Sequence, residues 1–136
     1  MNIKEICDLI LKLNLYAAQT KKIHYYTEKK SIHELCDDVQ DEIKDFADDF
    51  AEQMFGYYGK PKFNDFKSFK KIDIKETDNI SELCQDVDDL ISPARTFCNK
   101  NDKLSNIVSI IDDFRGKLSQ FKFLATFDKI SNFKNQ

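Results

Sequence analysis

Both histidines of this 136-residue chain lie within ten residues of one another, and they lead into its most acidic stretch. His33, Asp37, Asp48 and Glu52 recur there on a single helical face. From Ser31 to Gly56 the chain carries nine Asp or Glu residues and one lysine, Lys44. A solvated helix face ordinarily mixes lysines among its acids, so this excess calls for a cation. Carboxylates with one or two imidazoles suit iron, since oxygen ligands hold the ferric state and imidazole accepts the ferrous one. Plainer readings stand beside this one. His33 can be an exposed histidine at a capped helix start, Asp48 and Glu52 a solvated acidic face, and His24 either a ligand or a helix-end core residue. The correlated spacing favours the joint reading.

The elements that position these residues follow from apolar periodicity. Asn2 and Glu5 form a capping box, after which Ile3, Ile6, Ile10, Leu13 and Ala17 recur at helical spacing, predicting a helix from Ile3 to about His24. Ser31 to Glu34 reads as a second box, opening a helix with the stripe Leu35, Cys36, Val39, Ile43, Phe46, Phe50 and Met54 that ends near Gly56 or Gly59. Residues 57–78 mix aromatics with lysines and suit a connection carrying a short helical turn. A third helix begins at Asn79, kinked or interrupted at Pro93, and a fourth of about 27 residues runs from Leu104 to Ile130. Short links within the pairs and a long one between them predict a single all-α domain over residues 1–136, a ferritin-like four-helix bundle with a long middle crossover. Glu34–Ile43 matches Glu82–Ile91 at seven of ten positions, which suits either an old helix-pair duplication or similar heptad composition. At the places of His33, Asp37, Asp48 and Glu52 the second copy has Ser81, Gln85, Thr96 and Lys100, so the ligand-type residues are not a by-product of the apolar stripe.

At about 100° per residue the acidic stripe, Asp41 included, points away from the chain's own core. At about 1.5 Å per residue, His33 and Asp37 stand roughly 22 Å from Asp48 and Glu52, so one metal cannot touch both pairs within one chain. An antiparallel second copy, with a two-fold axis near Glu42 or Ile43, brings the pairs together and makes two equivalent sites. Metal would also offset the repulsion between two acidic helices packed face to face.

His24-Tyr25, His33, Asp37 four residues on, and Asp48-x-x-Ala51-Glu52 resemble the ferroxidase signature of Dps, the DNA-protection-during-starvation branch of the ferritin-like superfamily. The motif-level likeness covers residues 24–52. The chain departs from the family in the shorter stretch between the histidines and in Tyr25, where a Trp commonly stands. The resemblance implies that His24, His33 and Asp37 of one subunit and Asp48 and Glu52 of its two-fold mate bind iron. It further implies oxidation of ferrous iron with hydrogen peroxide, ferric mineral storage, and two-fold dimers assembling into a hollow dodecamer.

Composition narrows the remaining classes. A net charge of -3 and the lack of a basic arm argue against strong DNA binding. No apolar run is long enough for a membrane span, and the N-terminus does not read as a signal peptide, so a cytoplasmic protein is expected. Cys7, Cys36, Cys84 and Cys98 lack C-x-x-C spacing and fall at apolar positions, as packed reduced thiols do. The competing function is non-enzymatic: a ferritin-like helical assembly module, of a kind a phage could encode, that binds a basic protein partner through its acidic face.

Overall fold

The structure is a computed structural model that describes residues 1–127. Its long elements are all α-helices: α1 (Ile3–Tyr26), α2 (Lys30–Tyr58), α3 (Ile80–Asn99) and α4 (Ser105–Ala125). Among the described residues there is no strand, and no helix is long and apolar enough to cross a membrane. The capping box at Asn2 closes α1, with Glu5 N–H donating to the Asn2 side chain at 2.9 Å and Glu5 returning to the Asn2 N–H. Ser31, by contrast, is not the cap of α2. The helix starts two residues earlier than that box implies, because the link from α1 is only Thr27–Lys29 and the ladder already runs from His33 N–H to Lys29 O. Gly59 ends α2 at φ 99°, a left-handed conformation that glycine reaches without steric cost, and its N–H donates to Phe55 O.

Asn79 caps α3 through Glu82 N–H, while the Glu82 carboxylate accepts from the Thr77 hydroxyl. The helix continues through Pro93 without interruption. Pro93 is exposed, so the carbonyl that loses its partner faces water instead of the core. A single 3₁₀ turn, Asp102–Leu104, leads into α4. The apolar stripe of α4 is buried through Phe121, but Leu124 and Phe127 are exposed, and Ile130 lies outside the described residues.

The connection from α2 to α3 contains two 3₁₀ turns, Phe63–Asp65 and Phe69–Lys71, in place of one short helix. It forms a strap along α1. Tyr58 donates to Met1 O, Lys67 pairs with Asp8, and Gln19 takes Thr77 N–H while donating to Lys75 O at 2.8 Å. The strap therefore climbs from the start of α1 to near its end. From that end α3 descends, parallel to α2, and α4 rises beside both. α2 packs on α1 and α4, and α3 packs on the same two helices, which places α2 and α3 at diagonal corners.

The core fills the space between these stripes. Leu35, Cys36, Val39 and Ile43 of α2 and Leu83, Cys84, Val87 and Ile91 of α3 are all buried in it. These are the matched positions of the internal repeat, and they sit on the second helix of one hairpin and the first of the other. A duplicated helix pair would have put them at the same place in each hairpin. The likeness reflects two parallel helices presenting the same stripe to one core.

Candidate metal centre

His24 lies in the last turn of α1, and His33 in the first turn of α2, across the three-residue link. Their rings stack with centroids 3.8 Å apart and planes 22° apart. Each ring reaches the other residue's backbone: Nδ1 of His24 is 2.8 Å from His33 O, and Nδ1 of His33 is 2.8 Å from His24 O. A carbonyl oxygen only accepts, so each Nδ1 is the donor. His24 O is one of the terminal carbonyls that α1 cannot satisfy within its own helix. The histidine pair thus completes the helix end and ties the hairpin together. It also fixes the tautomer. In the neutral ring Nε2 then carries the lone pair, and neither Nε2 has a hydrogen-bond partner among the described residues. An imidazole that binds a metal through one nitrogen commonly donates the other N–H to a carbonyl in this way.

Asp37, one turn further along α2, lies next to the His24 ring. Its Oδ1 lies 3.6 Å from Nδ1 of His24, too long for a hydrogen bond, and 3.9 Å from Nζ of Lys21. Lys21 also sits over the Tyr25 ring. Asp37 is exposed and Lys21 is held by nothing buried, so the lysine is a displaceable neighbour. Tyr25 and Tyr26 are both exposed at the helix end, with Tyr25 edge-on to His24. Cys36 adjoins Asp37 on the core side. Burial first, and then the Asp37 charge, push its thiol up to about 11. Burial likewise pushes Cys84 up to about 12. All four cysteines are free and buried.

Asp48 and Glu52 are exposed on the far half of α2 and do not approach the histidines. Three of the five candidate ligands are therefore brought together within the chain, and two stand apart. Among the described residues no group of three or more His, Cys, Asp or Glu side chains is arranged to hold a metal ion. Sequence reasoning missed Lys21 and the crossed hydrogen bonds. Lys21 falls one turn before Tyr25 and three residues before His24, a spacing that could have flagged it.

Residues 6–124 match DUF5856, a family of unknown function. The chain belongs to that family. The DUF5856 match extends from α1 almost to the end of α4, and so takes in the histidine pair, the acidic helix and the strap. No curated protein and no solved structure matches the chain.

Proposed function

We propose that this DUF5856 protein is a ferritin-like, Dps-like ferroxidase whose iron sites form between two-fold-related subunits. The observation that carries this reading is the crossed pairing of His24 and His33, which commits both Nδ1 atoms and leaves both Nε2 lone pairs free for a cation, with Asp37 next to the His24 ring. The parallel α2 and α3 joined by a long strap support the ferritin-like reading of the bundle. His24, His33 and Asp37 bind the ferrous substrate on one subunit, and Asp48 and Glu52 of the mate complete its coordination. Each ferrous ion gives up one electron, and peroxide takes two electrons with two protons to leave as water. The carboxylates hold the ferric product, whose hydrolysed mineral collects in the hollow of a dodecamer.

The test compares ferrous iron oxidation, aerobic and with peroxide, in the wild-type protein and in Asp48→Ala/Glu52→Ala. The variant should lose most of the acceleration over protein-free buffer; equal rates defeat the proposal. A second reading is favoured by the Lys21 contact, because a carboxylate already neutralised by lysine needs no metal. In that reading the histidine pair only ties the hairpin, and the acidic face of a non-enzymatic assembly module receives a basic protein. Retention of Lys21 beside Asp37 after addition of ferrous iron, read by lysine NMR, would favour it.

A further inference from the structure

The strap and the opposite face of the bundle are chemically complementary. The strap rides on α1 on the side where Lys75 reaches Asp86 of α3. Phe63 is 90% exposed there and Phe69 69%, although large aromatic side chains normally find cover. Lys60, Lys62, Lys70 and Lys71 flank them, all exposed and all without an ion pair among the described residues. Lys67 alone of this group is engaged, with Asp8. Two open aromatic rings among four uncommitted lysines make a surface suited to an acidic partner with a slot wide enough for a ring.

Such a slot exists between α2 and α4, on the side of the bundle away from the strap. It is a cleft of about 290 Å³. Its floor is the stacked pair Phe46 and Phe114, with ring centroids 4.2 Å apart and planes within 5°. Its rim holds Asp45, Asp49 and Asp113, exposed and without ion pairs among the described residues. Lys117 closes one end and is already committed to Glu42 at 3.0 Å.

We infer that the occupant of this cleft is a second copy of the chain, inserting Phe63 onto the Phe46/Phe114 floor while Lys60 and Lys62 meet Asp45, Asp49 and Asp113. Phe69, Lys70 and Lys71 extend the contact along α2. The two surfaces lie on different sides of one subunit, so the contact is head-to-tail and propagates from copy to copy. It is separate from the two-fold contact through Asp48 and Glu52 and does not require iron. In metal-free buffer the two-fold contact is opposed by its own acids, and the head-to-tail one is the association that remains.

The test is sedimentation velocity of the full chain with EDTA at low and high salt, using Phe63→Ser/Lys62→Glu on the strap and Asp45→Lys/Asp49→Lys on the cleft. Wild type should associate at low salt and dissociate as salt rises, because the rim pairs are screened. Each variant alone should associate about tenfold more weakly or worse, the strap variant through loss of a central aromatic anchor and the cleft variant through like charges set against Lys60 and Lys62. Mixed together, the two variants should form a complex of one copy of each that grows no further, since each retains one competent face. Circular dichroism establishes that all are folded, and Asp48→Ala/Glu52→Ala should associate like wild type. A wild-type protein that stays monomeric, an association unchanged in both variants, or variants that do not pair when mixed would each overturn the inference. So would Phe63-dependent binding to phosphatidylserine vesicles by a chain that does not self-associate.

Discussion

His24 and His33 each donate a ring N–H to the other's backbone carbonyl at 2.8 Å, so that two stacked imidazoles close the α1–α2 hairpin from both sides. This one relationship serves stability and chemistry together. The same bonds that satisfy a helix-end carbonyl leave each ring's remaining nitrogen as a lone-pair donor. Substitutions can separate the two roles.

His24→Ala and His33→Ala should each cost about 1 kcal/mol of stability, the net value of a hydrogen bond of this kind. The double variant should cost less than the sum of the singles, by about 0.5 kcal/mol or more, because each single removes the stack as well as its own bond. Urea denaturation of the four proteins measures this. Strict additivity would mean the rings do not support one another.

Replacing Asp48 with Asn and Glu52 with Gln should leave subunit stability within about 0.5 kcal/mol of wild type, since both are exposed and have no ion pair among the described residues. Anaerobic ferrous iron should raise the mass of the wild-type protein towards the two-fold dimer and leave the variant unchanged. Light scattering in the Phe63→Ser/Lys62→Glu background isolates this contact from the head-to-tail one.

Gln19 is 4% exposed and holds the strap at both Lys75 O and Thr77 N–H. Gln19→Ala would strip two part-buried backbone groups of their partner and should cost about 2 kcal/mol. Limited proteolysis should then cut within residues 60–78 faster than in wild type. Unchanged cleavage would show that the remaining contacts, those of Tyr16, Asp8 and the buried Ile72 among them, hold the strap without Gln19.

Cys36 and Cys84 bind their protons more tightly folded than unfolded, because burial disfavours the thiolate. Their contribution to stability is therefore complete below the ordinary thiol value of 9.0 and is lost as pH rises from there towards about 11 and 12. The urea midpoint should fall across that alkaline window, and less so in Cys36→Ala/Cys84→Ala measured against its own neutral-pH value. At pH 8 an aromatic disulfide reagent should label no thiol until the chain is unfolded.

The four helices could be read from the chain because their apolar spacing and the caps at Asn2 and Asn79 are local signals. The start of α2 could not. Ser31 and Glu34 satisfy the capping pattern, but a three-residue link to α1 and the ring of His33 on His24 O draw the helix start back to Lys30. The strap was recognisable as apolar yet irregular, and its course was hidden because Gln19, Tyr16 and Asp8 hold it from more than fifty residues away. For the candidate site, spacing along a helix decided one thing in advance: Asp48 and Glu52 stand too far from His33 and Asp37 for one ion to touch both pairs within a chain, since about 1.5 Å per residue is geometry that no packing alters. Packing alone settled that His24 joins His33, how the Nδ1 atoms are spent, and that Lys21 stands beside Asp37. Those contacts depend on the angle at which two helices meet, and that angle is set by the whole core.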